Sequence, residues 1–374
     1  MKKTLFLMLM ATALVGQAKT HDFKAGTNLD LINRDVAKTV APGDTILITS
    51  PAYRYTQLRN IRGTKEKPVV IIPIGNVRMG IGSTNYGLIL EGSHYQLQGG
   101  KRLMIYNPDY CMNTGLATDK SNDIWIDGIT IRYCHVGWQA NPDSSGILRN
   151  YRLTNTVIHE IRGLRTKGRS EAVYVEQTKY QDYNVCKMEG LVIENCHFYD
   201  LDGDGLQVAL TTGLVVKNLI VEDFGKANLN WQNIGVILGS GTSGSLSNII
   251  IRNGRGTGMQ IYGTDTVRLE NVTISSVATN ATDDALYIER KFTPPGKLVV
   301  LLKQVSLDTA ARHGINNINA SLVQLQSVSI GNVKGQKTLG NGFQLLQPAP
   351  PVDTIKKAVP LFILYSDSTW KRAS

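Results

Sequence analysis

A short module recurs ten times along this chain, and it constrains the fold more than any other feature. In each copy a glycine or alanine precedes an apolar residue, and a variable residue comes next. Successive small residues lie 28, 22, 35, 33, 30, 23, 27, 29 and 28 positions apart. A unit of this length cannot bury its own apolar side, so the units must stack to form a core. The small residues are Gly87, Gly115, Gly137, Ala172, Gly205, Gly235, Gly258, Ala285, Gly314 and Gly342.

A second short strand precedes most of these modules. Residues 124–131 and 267–274 are examples, rich in β-branched residues that alternate with period two rather than with a helical stripe. A propeller blade needs about 40 residues, which the shortest spacing of 22 does not allow. The pattern therefore predicts an all-β chain: a single-stranded right-handed parallel β-helix of about ten coils, stacked about 4.8 Å apart.

Stacking places equivalent residues of successive coils above one another. The residue after each small residue should form an apolar ladder inside the bore, namely Leu88, Leu116, Trp138, Val173, Leu206, Val236, Met259, Leu286, Ile315 and Phe343. The next residue should face outward, which gives a mostly polar row of Gln139, Tyr174, Gln207, Ile237, Gln260, Tyr287, Asn316 and Gln344. Short polar residues after the upstream strands are assigned to turns: Asn195, Asp223, Asn253, Ser276, Thr309 and Asn332.

The ends of such a solenoid expose strand edges and need caps. The apolar residues of segment 29–40 have helical spacing, which predicts an N-terminal helical cap: Leu29, Leu31, Ile32, Val36 and Val40. We predict one domain over residues 19–374, with the cap and entry over 19–60, the coils over 61–346 and a C-terminal cap over 347–374.

The first 18 residues have the pattern of a secretory signal peptide. Lys2 and Lys3 precede an apolar run over residues 4–15, and small residues at 16–18 suit cleavage. We therefore expect a secreted or periplasmic protein, and no other stretch is apolar enough for a membrane span. The formal net charge of +10 suits an anionic partner. Outside the cytoplasm an acidic polysaccharide is a more accessible partner than nucleic acid, although the surface can also be basic without any such partner, and we expect a monomer.

The longest spacings, 35, 33 and 30, place the largest insertions around the coils of Ala172, Gly205 and Gly235. Glu171 and Asp204 precede two of these small residues and should lie on adjacent coils, about 5 Å apart. Such a pair raises one pKa or recruits a cation, and oxygen ligands favour Ca²⁺. The spacing also suits a retaining glycosidase pair, while an Asp-Gly sequence is equally ordinary turn chemistry.

The stretch that leads to Glu171 is basic. Cations there would neutralise a uronate carboxylate, and a basic side chain would remove the adjacent proton. The predicted catalytic residues are Glu171, Asp202, Asp204, Lys167 and Arg169, with Glu171 and Asp204 as the metal ligands. The predicted substrate contacts are Tyr174, Gln207, Trp138, His135, Arg162 and His197. His135, Arg162 and His197 are placed on one outward coil position, whereas Trp138 also fits the inward ladder.

A second acidic candidate comprises Asp283 and Asp284 on one coil and Arg312 and His313 on the next. An Asp-Asp pair in a loop is more often simply solvated.

Segments 41–48 (Ala-Pro-Gly-Asp-Thr-Ile-Leu-Ile) and 61–71 (Ile-Arg-Gly-Thr-Lys-Glu-Lys-Pro-Val-Val-Ile) resemble the entry of chondroitinase B-like and alginate lyase-like β-helices of the pectate lyase-like superfamily. The resemblance implies a right-handed parallel β-helix and cleavage of a polysaccharide by β-elimination with Ca²⁺. That family has a Glu-x-Glu-x-x-x-x-Lys pattern, of which only Glu171 is matched here; Arg169 and Glu176 occupy the other two positions. The Asp283-Asp284 and His313-Gly314 pairs resemble two elements of polygalacturonase-like enzymes.

The sequence thus predicts an exported, carbohydrate-active β-helix that cleaves an acidic polysaccharide by β-elimination or hydrolysis. The alternative is a non-catalytic β-helix that binds glycan or serves as a structural module. A β-helix fold alone does not decide between them.

Overall fold

A computed structural model describes residues 17–107, 112–142, 146–163, 170–176, 187–229, 231–263, 265–290, 297–320 and 322–346, and two short strands beyond them. These residues form stacked parallel strands in a solenoid of about 11 turns with almost no helix. The all-β prediction and the parallel stacking are confirmed.

The strands of the first half of the chain are β1 (Thr20–Phe23), β2 (Leu31–Asn33), β3 (Thr45–Ile48), β4 (Ala52–Tyr53), β5 (Thr56–Arg62), β6 (Val69–Pro73), β7 (Val77–Met79), β8 (Tyr86–Tyr106), β9 (Met112–Ala117), β10 (Ser121–Arg132), β11 (Cys134–Gln139), β12 (Leu148–Thr154), β13 (Val157–Ile161), β14 (Val173–Val175) and β15 (Met188–Leu201). Those of the second half are β16 (Leu206–Val208), β17 (Thr211–Thr212), β18 (Leu214–Glu222), β19 (Val236–Leu238), β20 (Gly244–Arg252), β21 (Met259–Ile261), β22 (Thr266–Ser275), β23 (Leu286–Ile288), β24 (Val299–Asp308), β25 (Ile315–Asn317), β26 (Leu322–Ile330), β27 (Thr338–Gly340), β28 (Phe343–Leu345), β29 (Phe362–Leu364) and β30 (Trp370–Arg372).

Each complete coil contributes to three parallel sheets, here called A, B and C in chain order. In one coil the first half of β18 lies in sheet A, its second half lies in sheet B, and β19 lies in sheet C. Sheet C contains the repeated module, and its strands from β9 onward are β9, β11, β14, β16, β19, β21, β23, β25 and β27.

Sheet C confirms the predicted ladders except at their C-terminal end. The register runs unbroken from Leu88 through the predicted inward residues to Ile315, and all of them are buried. The outward row keeps its register from Gln139 to Asn316, although Tyr174, Ile237 and Asn316 are buried. Phe343 was misplaced because β27 takes the sheet C position, so Thr338 follows Ile315 and Phe343 pairs with Val323 in sheet A. Gln344 pairs with Gln324 for the same reason.

The corner between sheets A and B is left-handed backbone joined by an asparagine ladder. Asn155, Asn195, Asn218, Asn248 and Asn271 have φ values of 51° to 56°. Each amide after Asn155 donates to the preceding amide oxygen, over 3.3, 2.8, 2.9 and 2.8 Å. Asparagine tolerates this backbone better than most residues and can bond along the stack.

The predicted row of turn residues is therefore two rows. Asn195 belongs to the corner after sheet A, whereas Asp223, Asn253, Ser276 and Thr309 lie at the corner after sheet B, with φ values of 53°, 56°, 51° and 60°. Both corners need positive φ and therefore favour short polar residues. The sequence pattern alone could not tell the two corners apart.

The predicted N-terminal helical cap is wrong. Segment 29–40 forms part of the first coil, with β2 paired in parallel to β5. Only two single-turn 3₁₀ helices occur nearby, Thr27–Leu29 and Val36–Lys38. The coil buries Val36 and Val40 but leaves Leu29 and Ile32 44% and 48% exposed. Strand β2 bonds the edge of β5 through its backbone, and a helix could not do this.

Two predictions about the chain ends lie largely outside the described residues: the signal peptide over residues 1–18, of which 17 and 18 are described, and the C-terminal cap over 347–374. In that cap, β29 and β30 pair antiparallel with each other. Among the described residues, no helix has both the length and the apolar character to cross a membrane.

Replacement of Asn248 should separate the two contributions of the corner. Asn248→Val loses the amide ladder and forces a β-branched residue to φ 56°, which should lower the free energy of unfolding by about 2 kcal/mol. Asn248→Gly loses only the ladder bonds and should cost about 1 kcal/mol or less. Chemical denaturation of both variants checks this expectation, and equal losses would contradict it.

Candidate functional site

The candidate site lies where the chain enters sheet C. Backbone bonds from Gly137 N to Glu171 O and from Ala172 N to Asp204 O, both 3.0 Å, place Glu171 and Asp204 on adjacent coils. This confirms the predicted register. Both side chains are nearly inaccessible, with 4% exposure for Glu171 and 0% for Asp204, so the pair is buried and does not form an open acidic floor.

Both oxygens of the Glu171 carboxylate accept hydrogen bonds. Oε2 accepts from the Ser170 backbone N–H at 3.0 Å, and Oε1 accepts from the Gln232 side-chain amide at 2.6 Å. Both oxygens of Glu171 therefore serve as acceptors. Gln232 is 61 residues away in sequence and reaches Glu171 from the long connection between β18 and β19.

Asp204 is held differently. Its Oδ1 accepts the Ile234 backbone N–H at 2.7 Å, while its Oδ2 is buried without a hydrogen-bond partner. Burial, together with the nearby charges of Glu171 and then Glu176, raises the pKa of Asp204 well above its usual range, against the lowering effect of the Ile234 bond. Asp204 therefore keeps its proton at pH values where an exposed aspartate has lost it.

A third acidic group, Glu176, lies at the end of β14. It accepts a hydrogen bond from the side-chain amide of Gln207, and burial raises the pKa of Glu176. Gln207 is the register partner of Tyr174 in sheet C. The predicted contacts Tyr174 and Gln207 thus lie on the same two coils as Glu171 and Asp204.

Three buried polar atoms around Glu171 have no hydrogen-bond partner: Ser170 Oγ, Asp204 Oδ2 and Gln232 Oε1. Their residues are 0%, 0% and 7% exposed. Such atoms are rare in folded proteins, since each costs about 1–3 kcal/mol. A hydroxyl-rich ligand is one group that would satisfy donors and acceptors of this kind together.

The remaining predicted catalytic residues are placed less closely. Asp202 lies 3.9 Å from the Arg162 guanidinium, which is bound mainly to Asp200 at 2.6 Å. Lys167 and Arg169 lie outside the described residues.

The structure separates the predicted substrate contacts. His197 is in sheet B, paired in register with Val157 and Ile220, and its ring bonds Glu222 at 2.8 Å. It therefore does not share a coil position with His135, which is buried in β11. Arg162 N bonds Cys134 O at 3.0 Å, so only Arg162 lies beside the β11 strand.

Trp138 lies inside the bore, at 0% exposure. Its Nε1 donates to Thr118 Oγ1 at 3.0 Å, and its ring stacks on Tyr151 at 6.2 Å. Period-two alternation explains the position, because Leu116 and Val173 are its inward register partners. Trp138 is a core residue and not a surface contact.

Sequence reasoning missed Ser170 and Gln232. Ser170 had a signal, since it directly precedes Glu171. Gln232 had none: it lies in an insertion, and its contact with Glu171 depends on how that insertion folds back over two coils.

The second acidic candidate is a closed ion pair. Arg312 binds both oxygens of Asp284, at 2.8 and 2.5 Å. Asp284 also accepts the His313 backbone N–H at 3.1 Å and the Asn316 amide at 2.9 Å. With every oxygen occupied, Asp284 anchors the loops that it joins.

Ca²⁺ takes about six to eight oxygen ligands. Around Glu171 the described residues offer three oxygens without a hydrogen-bond partner, Ser170 Oγ, Asp204 Oδ2 and Gln232 Oε1, which are fewer than calcium takes. Across the described parts of the chain, no group of three His, Cys, Asp or Glu side chains is placed to share a metal ion. Calcium stays a prediction from the sequence.

Comparisons with known proteins agree on the fold. A family model described as right handed beta helix region matches residues 184–330. The alginate lyase of Paenibacillus sp. strain FPU-7 superposes with a TM-score of 0.52 at 16% identity, covering 87% of this chain and 98% of that chain. The pectate lyase Pel9A superposes with a TM-score of 0.58 at 14% identity, covering 78% and 72%. A sequence search of curated proteins found no match.

At these identities the likeness shows the fold alone. It confirms the right-handed parallel β-helix and, at the level of fold, the resemblance to alginate lyase-like β-helices.

The raised pKa of Asp204 gives its replacement a pH-dependent effect on stability. An acid whose folded pKa is raised stabilises the fold fully below its unfolded pKa, about 4, and this contribution is lost as the pH rises through the folded pKa. Asp204→Asn is neutral throughout, so its melting temperature should gain on that of the wild type as the pH rises from about 4 to 8. Thermal unfolding over this range measures the difference. Asp265→Asn, on an exposed turn, is the control, and the same pH course in both variants would contradict the assignment.

Proposed function

We propose that this protein is an exported carbohydrate-active enzyme that cleaves an acidic, uronate-containing polysaccharide at the Glu171–Asp204 pair. The observation that carries the proposal is the contrast between Asp204 and Asp284, which occupy the same position of the module. Asp284 is neutralised by Arg312, whereas Asp204 is buried beside a second carboxylate with one oxygen unpartnered. A charge pattern that does not serve stability is typical of functional sites.

A glycosidase uses one protonated and one ionised carboxyl group. Asp204 gives its proton to the glycosidic oxygen while the bond from that oxygen to the anomeric carbon breaks. Glu171 attacks the anomeric carbon from the other side and forms a glycosyl ester, which water hydrolyses with Asp204 as the base. The coil spacing of about 4.8 Å is close to the separation of about 5–5.5 Å in retaining enzymes.

β-Elimination is the other route to cleavage. It needs a cation to neutralise the uronate carboxylate and a base for the adjacent proton, and the predicted Lys167 or Arg169 would supply them. Both lie outside the described residues, so hydrolysis is the route that the described side chains support. The products separate the routes, because elimination leaves an unsaturated sugar that absorbs in the ultraviolet and hydrolysis does not.

The acidic character of the substrate is supported by charge. The chain carries 40 Lys and Arg against 30 Asp and Glu, and a basic surface attracts polyanions.

A non-catalytic glycan-binding module is the second candidate, and burial favours it. Glu171 and Asp204 are 4% and 0% exposed, so contact with a polymer requires the loops around them to open. A binding module would need only the outward row of sheet C.

Replacement of either carboxyl group should remove cleavage while the fold persists. We expect Glu171→Gln and Asp204→Asn to lower kcat by at least about 100-fold, because each deletes one half of the acid and nucleophile pair. Glu270→Gln is the matched control, since Glu270 is exposed in sheet A and pairs with Lys303. Reducing ends and ultraviolet absorbance are measured over a panel of acidic polysaccharides, with thermal unfolding of each variant.

The outcomes separate the candidates. Full activity in both variants would place the chemistry elsewhere, and polymer binding without any turnover by the wild type would favour the binding module.

Chelation tests the calcium prediction. Because the described residues around Glu171 offer three unpartnered oxygens, fewer than the roughly six to eight that Ca²⁺ takes, we expect cleavage to continue in the presence of a chelator. Loss of cleavage that added Ca²⁺ restores, without restoration by Mg²⁺, would show that the metal is required.

A further inference from the structure

Trp231 is an exposed aromatic residue in the middle of the solenoid. Its exposure is 64%, and the other large apolar residues exposed in the described chain lie before residue 75 or after residue 317. Those positions are near the ends of the stack, where coils have fewer neighbours. Trp231 is on a central coil, so its exposure has a different cause.

The turn that carries Trp231 is anchored at its base. Gln232 N bonds Leu229 O at 3.2 Å, which places Trp231 at the tip. Asn233, two residues after Trp231, is 3% exposed and fills the space beside two glycines. A Cβ on Gly256 would lie 2.2 Å from Asn233 Cγ, and one on Gly225, at φ +71°, would lie 3.0 Å from Asn233 Cβ. The base of the turn is therefore held in place by packing.

The same turn binds both carboxyl groups of the candidate site. Gln232, the residue after Trp231, donates to Glu171 at 2.6 Å, and the Ile234 N–H donates to Asp204 at 2.7 Å. Adjacent Cα atoms are about 3.8 Å apart, so the Trp231 backbone lies next to that of Gln232, whose side chain reaches Glu171. Asp204 Oδ2 and Gln232 Oε1 are buried there without a hydrogen-bond partner.

We infer that Trp231 is the stacking surface for a pyranose ring of the acidic polysaccharide, next to the sugar held at Glu171 and Asp204. The inference rests on the proposed function. A pyranose has one face of C–H groups, which a flat indole covers with a large apolar area and little loss of side-chain freedom. Its hydroxyl groups lie at the ring edge, where polar groups beside the indole can bond them.

The test compares Trp231→Ala, Trp231→Phe and a matched control, Ile318→Ala, which removes an apolar side chain that is 51% exposed. We measure kcat and KM on the polymer that the panel identifies, and affinity by electrophoresis through gels containing that polymer. Trp231→Ala should raise KM and the dissociation constant about tenfold, or about 1.4 kcal/mol. Its kcat and melting temperature should stay close to the wild type. Trp231→Phe should recover most of the affinity, and Ile318→Ala should change nothing.

Unchanged affinity and KM in Trp231→Ala would overturn the inference and leave the proposed function standing. Loss of affinity in Trp231→Ala, with full activity in Glu171→Gln and Asp204→Asn, would support the stacking surface and overturn the proposed chemistry. A wild type that neither binds nor cleaves any acidic polysaccharide would overturn both.

Discussion

The register of the parallel backbone hydrogen bonds, coil upon coil, determines everything else in this structure. Because side chains alternate with period two, a shift of one residue would turn an inward ladder outward. The apolar ladder from Leu88 to Ile315 fixes that register in sheet C. It also fixes the position that precedes each small residue, so Glu171 and Asp204 lie on adjacent coils as a consequence of core packing.

What the sequence revealed follows from the same constraint. The sheet C module was predictable because a small residue and an alternating triplet recur in every coil. The corners were harder, since two different corners select short polar residues, and Asn195 was assigned to the wrong one. The N-terminal cap failed because apolar residues at spacings of three to five suit a helix and a coil with corners equally well. Phe343 failed because Thr338–Gly340 takes a place in sheet C that the spacing alone had given to the later module.

The site was predictable in its spacing but not in its environment. Two acidic residues at the same module position must be neighbours, and that needed no more than counting. Their burial, and the amide of Gln232 on Glu171, depend on how an insertion folds over the neighbouring coils. Trp138 and His197 show that suitable chemistry alone does not place a residue at the site. Both have a suitable chemistry for sugar contacts, yet strand alternation puts Trp138 in the bore and the coil path puts His197 in another sheet.

Asp284 provides an internal reference for the cost of the Glu171–Asp204 pair. The fold can bury an aspartate at this position without an unpaired charge: Arg312, the His313 N–H and Asn316 occupy its oxygens. At Asp204 the corresponding coil supplies one backbone N–H and a second carboxylate. An apolar or amide residue there would remove the desolvation cost of a buried acid. The chain has a stabilising solution three coils away and does not use it here, which supports the proposal that the pair serves chemistry rather than folding.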